Sequence, residues 1–238
     1  MKKLSFLLLY LLLSGQLYAQ FYLQPEFGQV INYPIGTNTI GPVVVSPNNG
    51  GSPPVTSFSL DIGYQLDSQP FTISMRSRYF TGRYGFLLIN TEEDNGVFGP
   101  TMKGFTLGVA TLNVQPTFRI KAIELGKWAF SVLGGPSLLF QIPTSDDFGI
   151  DPNRRFPITA GVIRQIDDSV KPLIMGITFG GILSYRRFSF AVDYHTNMNS
   201  SFTDDLMFNG EQYRFSNTAR YLSFALGYSI IDKRRIKD

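Results

Sequence analysis

The residues with the clearest potential for chemistry are Asp193 and His195, which lie two positions apart in an alternating segment with Ser189 on the same face. An aspartate that orients an imidazole close to a hydroxyl is the arrangement of a hydrolytic triad. Residues that share one face of a strand also contact each other without reacting, so these side chains suit a hydrogen-bond network inside a barrel as well. We favour the network and therefore predict no enzyme activity.

The rest of the sequence excludes most other catalytic centres. It contains no cysteine and a single histidine among 238 residues, which leaves no thiolate nucleophile, zinc–thiolate site, iron–sulfur site or multi-histidine metal centre. Walker A, dinucleotide-binding, G-x-S-x-G and HExxH motifs do not occur. We expect neither a cofactor nor a bound metal.

Charged residues of both signs lie within or near segments that alternate between apolar and polar positions, and glycines stand between them. In such a segment the polar side chains share one face. Inside a narrow barrel, opposite charges on that face pair with each other, and glycines make room for them. The predicted polar network of the lumen comprises Glu26, Asp61, Arg76, Arg78, Arg119, Asp193 and His195.

The elements that must position these residues are strands, because the dominant period after residue 20 is two. The clearest alternating runs are 58–64, 188–195 and 222–230. Less regular runs cover about 20–30, 70–80, 104–120, 127–140 and 172–186. Together these runs predict eight strands. A ninth strand in Phe156–Ile166 and a tenth in Phe86–Ile89 would give the alternative of ten.

Two segments need a specific interpretation. In 104–120 the apolar positions are odd-numbered up to Val109 and even-numbered from Leu112. Because one extra residue shifts a period of two, we predict a bulge at Ala110–Thr111 that keeps one continuous apolar face. Glycines bracket Phe86–Ile89, which favours the extension of a hairpin over an exposed contact patch.

The connections alternate in length along the chain. Short links at about 66–70, 122–126 and 186–187 alternate with long links at about 31–55, 81–103, 141–171 and 197–217. The long links are rich in proline, glycine, asparagine and aspartate. Short turns and both termini at one end, with long loops at the other, are typical of an outer-membrane barrel.

Each predicted strand carries an aromatic residue at its short-turn end, with Tyr22 as the alternative to Phe21 on the first strand. Rings at one height form the interfacial girdle of a membrane barrel, whereas a soluble sandwich has no reason to align them. A soluble lipocalin-like barrel would turn its apolar face inward. We therefore predict an all-β, transmembrane, antiparallel up-and-down barrel with its apolar face toward lipid. The predicted periplasmic girdle comprises Phe21, Tyr64, Phe71, Phe118, Trp128, Tyr185, Phe188 and Tyr228.

The N-terminus has the pattern of a secretory signal peptide. Lys2 and Lys3 precede the apolar run Leu4–Leu13, and the small residue Ala19 follows. This run is too short for a hydrocarbon core of ~30 Å, which needs about 20 helical residues. We predict export to the bacterial outer membrane, with a cleaved signal peptide over 1–19, the barrel over 20–231 and a basic periplasmic tail over 232–238.

The sequence resembles the PorT-like outer-membrane β-barrel family over nearly its whole length. The resemblance depends on Tyr18-Ala19-Gln20, Phe27-Gly28, Gly134-Gly135-Pro136-Ser137 and the segment 220–228. It implies the barrel fold and the outer-membrane location, and none of these segments is a catalytic signature. The chain departs from many outer-membrane barrels because a charged tail, and not an aromatic residue, follows its last strand.

The predicted function is non-enzymatic, as a structural protein or a protein that binds through its loops at the cell surface. The resemblance supplies one alternative, an accessory component of an outer-membrane protein secretion system, and His195 supplies a second, a lipid-modifying barrel enzyme. Expected partners are outer-membrane lipid, lipopolysaccharide, and a protein bound through the extracellular loops or the periplasmic tail. No nucleic-acid partner is expected. Without Lys2 and Lys3, 19 basic residues face 18 acidic ones, so the net charge falls from +3 to +1.

Overall fold

The structure is a computed structural model, and it describes residues 19–48, 53–66, 70–94, 100–144, 157–203 and 205–232. The predicted signal peptide over 1–19 lies outside the described residues except for Ala19. The predicted tail over 232–238 lies outside them except for Asp232.

The described residues form strands and one helix, which we number in chain order. They are β1 (Ala19–Ile35), β2 (Asn38–Ile40), β3 (Val43–Pro47), β4 (Val55–Leu66), β5 (Phe71–Asp94), β6 (Pro100–Leu125), β7 (Trp128–Thr144), α1 (Pro157–Asp168), β8 (Leu173–Tyr185), β9 (Phe188–Asn197), β10 (Asp205–Phe208), β11 (Glu211–Arg214), β12 (Thr218–Tyr228) and β13 (Ile231–Asp232).

Eight of these strands close into a ring in the order β1, β4, β5, β6, β7, β8, β9 and β12. Every pairing in the ring is antiparallel, and β1 closes it by pairing with both β4 and β12. A closed ladder has no exposed sheet edge, so each long strand has a partner on both sides. The predicted eight-stranded antiparallel barrel is confirmed, and the alternative of ten strands is wrong.

One end of the ring carries short turns. Gly126 and Lys127 join β6 to β7, and Arg186 and Arg187 join β8 to β9. Ala19 pairs with Leu66 at this same end. We call it the short-turn end.

The opposite end carries additional structure in the segments predicted to be long loops. β5 and β6 continue beyond the ring as a hairpin, and the β2–β3 hairpin pairs with β5 through β3. Phe86–Ile89 lies within β5, so it extends a hairpin as predicted. β10 and β11 form a separate hairpin.

The predicted ninth strand in Phe156–Ile166 is wrong, because Pro157–Asp168 is the helix α1. Val162, Ile163 and Ile166 are buried on one side of this helix. Their spacing follows a period of 3.6 residues and not of two. Proline is favoured in the first helical turn, where its missing N–H costs nothing.

The predicted bulge at Ala110–Thr111 is also wrong. The β5–β6 ladder runs without a register shift from Phe71–Ile120 to Asn90–Thr101. Val109 and Thr111 are both buried, so the odd-numbered residues of β6 face the interior on both sides of the phase change. What changes at this height is the composition of the interior, from polar to apolar, and not the phase of the strand.

The outside of the ring is apolar. Large side chains project from it into the surroundings, among them Phe27 with 64%, Phe188 with 63% and Phe118 with 59% of its surface exposed. Among the residues that the structure describes, no helix has the length and apolarity needed to cross a membrane.

Candidate functional site

The interior of the ring contains an ion-pair network centred on Arg76 of β5. Its Nη1 donates to Asp193 Oδ2 at 2.7 Å, and its Nη2 donates to Glu26 Oε1 at 3.1 Å. Arg78 Nη2 donates to the same Asp193 oxygen at 2.6 Å. All four side chains are fully buried. β1, β5 and β9 therefore bring these predicted residues together across the barrel.

A second ion pair joins Arg119 of β6 to Asp61 of β4. The Tyr22 hydroxyl donates to Asp61 Oδ2 at 3.3 Å, and the Arg119 guanidinium lies 5.4 Å from the centre of the Tyr22 ring. The two parts of the network contain three arginines and three carboxylates. A buried charge is tolerated when an opposite charge and hydrogen bonds compensate it. This cluster contains equal numbers of positive and negative side chains.

Uncharged side chains outside the predicted set complete the network. Gln24 Nε2 donates to Glu26 Oε1 at 2.9 Å and to Ser189 Oγ at 2.8 Å. Arg78 donates to Ser59 Oγ at 3.1 Å and to Ser223 Oγ at 2.6 Å. The sequence could have indicated these residues only by their position, because Gln24, Ser59 and Ser189 each share the inward face of a strand with a charged residue.

His195 lies apart from these ion pairs, although it is two residues from Asp193. Its Nδ1 lies 3.1 Å from Ser137 Oγ and 3.1 Å from Thr178 Oγ1, and its Nε2 lies 2.8 Å from Asn197 Oδ1. Its ring stacks on Tyr221 with 4.2 Å between the centres. Because Asn197 Oδ1 can only accept, the proton is assigned to Nε2 and Nδ1 accepts from a hydroxyl.

The triad considered for Asp193, His195 and Ser189 is not assembled. Asp193 bonds to arginines and to Ser223, and Ser189 accepts from Gln24. The two hydroxyls and the amide that do contact the imidazole belong to Ser137, Thr178 and Asn197, which are all buried in the lumen. This geometry favours a structural role for His195.

The residues predicted for the girdle divide by exposure. Phe21 and Tyr64 are half-buried, whereas the other six are exposed on the outside of the ring. Trp128 packs on Tyr185 with 4.6 Å between ring centres, and Phe188 packs on Tyr228 at 5.1 Å. Tyr22, the alternative on β1, faces the lumen instead.

Beyond the ion-pair network, toward the long connections, the interior becomes apolar. Eighteen buried side chains there form one cluster, which we call the head core. The head is the part of the molecule that carries this cluster beyond the ring, and it comprises β2, β3, the outer parts of β5 and β6, α1, β10 and β11. The members of the head core are Ile40, Val43, Val45, Tyr84, Phe86, Leu88, Phe105, Leu107, Val109, Val162, Ile163, Ile166, Val170, Phe202, Leu206, Phe208, Phe215 and Ala219.

Aromatic rings connect the separate segments of the head core. The Phe86 ring of β5 lies 5.1 Å from Phe105, 5.8 Å from Phe202 and 6.3 Å from Phe215, centre to centre. Such contacts join residues far apart in the chain and stabilise their relative position.

At the end of α1, partial burial and the neighbouring Asp168 charge raise the pKa of the Asp167 carboxyl.

The interior therefore contains two regions along its length. Charged side chains occupy the lumen of the ring, and apolar side chains occupy the space toward the long connections. Within the described ranges, no group of three or more histidine, aspartate or glutamate side chains has the arrangement of a metal site. The arrangement joins side chains of different strands across the barrel and fills the described part of the lumen. Exposed side chains lie on the outer wall, at the short-turn end and on the head.

Comparisons with known proteins give structural neighbours but no relative in sequence. No family model matches the chain, and no curated protein matches it either. It is similar in structure to neisserial surface protein A, with 10% identity, 88% of this chain and 97% of that chain covered, and a TM-score of 0.42. OprG from Pseudomonas aeruginosa gives 8% identity, 90% and 97% coverage and a TM-score of 0.45.

The attachment invasion locus protein Ail of Yersinia pestis is another neighbour. It has 10% identity, 90% of this chain and 99% of that chain are covered, and the TM-score is 0.40. OprG is described as an outer membrane protein and neisserial surface protein A as a surface protein. At these identities and scores the likeness assigns neither family nor function to this chain.

Proposed function

We propose that the chain is a non-enzymatic barrel of the bacterial outer membrane that binds at the cell surface through its head. The observation that carries this proposal is the doubly filled interior. Ion-paired side chains occupy the lumen of the ring, and the head core occupies the space above it, which argues against solute passage and against catalysis in the lumen. Binding is then left to the exterior.

Membrane insertion is supported by the reversal of polarity across the wall of the ring. Fully buried arginines and carboxylates lie inside, whereas side chains such as Phe27 and Phe188 are exposed outside. A soluble barrel has the opposite arrangement, and a membrane barrel requires this one. Outer-membrane lipid and lipopolysaccharide are accordingly the proposed surroundings of the outer wall, and export through a cleaved signal peptide is part of the same proposal.

A binding role for the head is supported by the packing of its described segments. Residues of β3, β5, β6 and α1 share the head core, so these segments support one another and the surface residues that they carry. The β10–β11 hairpin presents Asp205, Met207, Glu211 and Arg214 as exposed side chains over the buried Leu206. A pre-organised surface loses little conformational entropy on binding, which favours affinity.

A photo-crosslinking residue introduced at position 207 tests the proposal in intact cells. Met207 is exposed on the head, and Phe27 is a matched exposed position on the outer wall. We expect protein adducts from position 207 and lipid adducts alone from position 27. In planar bilayers we expect the purified chain to show no large, stable conductance. Equal adducts at both positions, or a persistent large conductance, would contradict the proposal.

The secretion and enzyme alternatives have separate tests. An accessory role in protein secretion, with a place in the PorT-like family, predicts that deletion of the chain abolishes export of secreted cargo. A lipid-modifying role predicts that His195→Ala alters lipid A or phospholipid chemistry. Unchanged secretion and lipids, together with lost surface binding, would leave binding by the head as the function.

A further inference from the structure

The short-turn end contains two turns of the same construction side by side. Gly126 and Lys127 connect β6 to β7, and Arg186 and Arg187 connect β8 to β9. The first residue of each turn is left-handed, with φ of +60° for Gly126 and +54° for Arg186. This conformation favours glycine, so an arginine in the second turn occupies a position that its backbone does not prefer.

Backbone hydrogen bonds join the two turns to each other and to the end of β12. Arg186 N donates to Lys127 O at 3.2 Å, and Ser229 N donates to Arg187 O at 2.8 Å. Lys127, Arg186 and Arg187 are all exposed, and none forms an ion pair within the part of the chain that the structure describes. We call these three residues the cationic turn pair.

The nearest acidic residue along the chain does not neutralise the cationic turn pair. Glu124 lies three residues before Lys127, and its carboxylate pairs with Lys121 at 3.1 Å. Two adjacent turns therefore present three positive charges to the surroundings. Guanidinium groups suit phosphate especially well, because two parallel N–H groups can donate to two oxygens of one phosphate.

Aromatic rings fix the height of the cationic turn pair on the barrel. The Arg186 guanidinium lies 5.7 Å from the centre of the Tyr185 ring, and that ring packs on Trp128 at 4.6 Å. Trp128 and Tyr185 are exposed on the outer wall. In a membrane, such rings lie at the level of the headgroups, so a cation beside them meets lipid phosphate.

We propose that the cationic turn pair binds the phosphodiester headgroup of an anionic phospholipid in the leaflet at the short-turn end. This inference depends on the proposed insertion into a membrane, and it adds a lipid-binding site distinct from the head. Charge complementarity selects the ligand, because the site combines three cations with rings at the apolar boundary. The positive charge needed for this site explains why an arginine occupies position 186, where the left-handed backbone favours glycine.

The turns supply their own matched variants. Arg186→Gly removes one cation and places the preferred residue type in the left-handed position. Gly126→Arg adds a cation to the other turn, where an added Cβ meets no atom within 4 Å, and it places an arginine in the same left-handed, strained backbone conformation that Arg186 already adopts. Arg214→Ser removes an exposed cation from the head, at the opposite end of the barrel.

The full chain in bilayer nanodiscs of phosphatidylethanolamine with phosphatidylglycerol gives the measurement, with bound lipid counted by native mass spectrometry. A basic residue near an anionic surface contributes enough to change lipid preference about fivefold. We expect Arg186→Gly to lower the phosphatidylglycerol preference about fivefold, Gly126→Arg to raise it, and Arg214→Ser to leave it unchanged. High salt is expected to weaken the preference of the unaltered chain.

A preference that Arg186→Gly leaves intact, or that Arg214→Ser lowers equally, would overturn the lipid site. Insertion is scored separately, from the shift in electrophoretic mobility between heated and unheated samples recovered from nanodiscs without anionic lipid. A chain that inserts there but shows no lipid preference refutes the site and leaves the membrane proposal standing. Failure to insert refutes both.

Discussion

Replacement of Arg76 by methionine removes one of three cations from the ion-pair network and leaves three carboxylates. Glu26 Oε1 then keeps only Gln24 Nε2, at 2.9 Å, whereas Asp193 keeps Arg78. These charges are fully buried, and breaking a buried ion pair by removal of one partner costs about 3–5 kcal/mol. We expect the free energy of unfolding to fall by that amount.

A second substitution separates the effect of charge from the effect of size. Arg76→Met combined with Glu26→Gln leaves two cations and two carboxylates, so the network is balanced again. Side chains in one ion-pair network couple by about 0.5–3 kcal/mol. The double variant is therefore expected to be more stable than Arg76→Met alone, by about 2 kcal/mol.

Urea unfolding in detergent micelles measures both variants, and Trp128, the one tryptophan in the sequence, reports the transition by fluorescence. Arg214→Met, an exposed cation of the head, is the control and is expected to change stability by less than about 0.5 kcal/mol. A double variant less stable than Arg76→Met would show that unbalanced charge is not what destabilises the lumen, and would refute this reasoning.

Four further predictions concern the outer wall, the strand packing, the helix α1 and the head core. Phe27→Arg, on the exposed outer face, should destabilise the chain in bilayers by ~2–4 kcal/mol, whereas in a soluble barrel it would be neutral in an unfolding titration. Gly180→Ala places a Cβ in steric overlap with the Val192 carbonyl oxygen and should lower the free energy of unfolding by about 1–3 kcal/mol, measured by urea unfolding. Gly161→Ala in α1 meets no atom within 4 Å and should raise stability by up to about 1 kcal/mol; a loss would contradict the helix assignment. Phe86→Ala should cost about 3–5 kcal/mol and expose the head to added protease, while protease resistance of the head would argue against the head core.

The ring could be predicted from the sequence because strands that separate two environments alternate with a period of two. Phe58 and Phe188, for example, alternate with polar neighbours and are exposed on the outer wall. The inward positions of Arg76 and Asp193 follow from the same period. Their pairing partners could not be predicted, because period identifies a face and does not give the register across the barrel.

The head could not be predicted for a different reason. Phe105, Leu107 and Val109 continue the inward face of β6. Within the ring, the inward residues of β6 from Thr111 to Thr117 are polar, so an apolar inward face is the opposite of what the ring predicts. The sequence therefore suggested a bulge where the interior changes composition. Val162, Ile163 and Ile166 carried a helical signal in a segment where a strand was expected.

The unshifted ladder between β5 and β6 has a consequence for how such a chain can vary. Val109 and Thr111 occupy successive inward positions, so the wall passes from one interior to the other without any break in its hydrogen bonding. Two residues added to each strand beyond this point would lengthen the hairpin by two rungs and return every side chain to its face. The outer part of the hairpin can thus become longer or shorter, or be replaced, while the ring beneath it keeps its register.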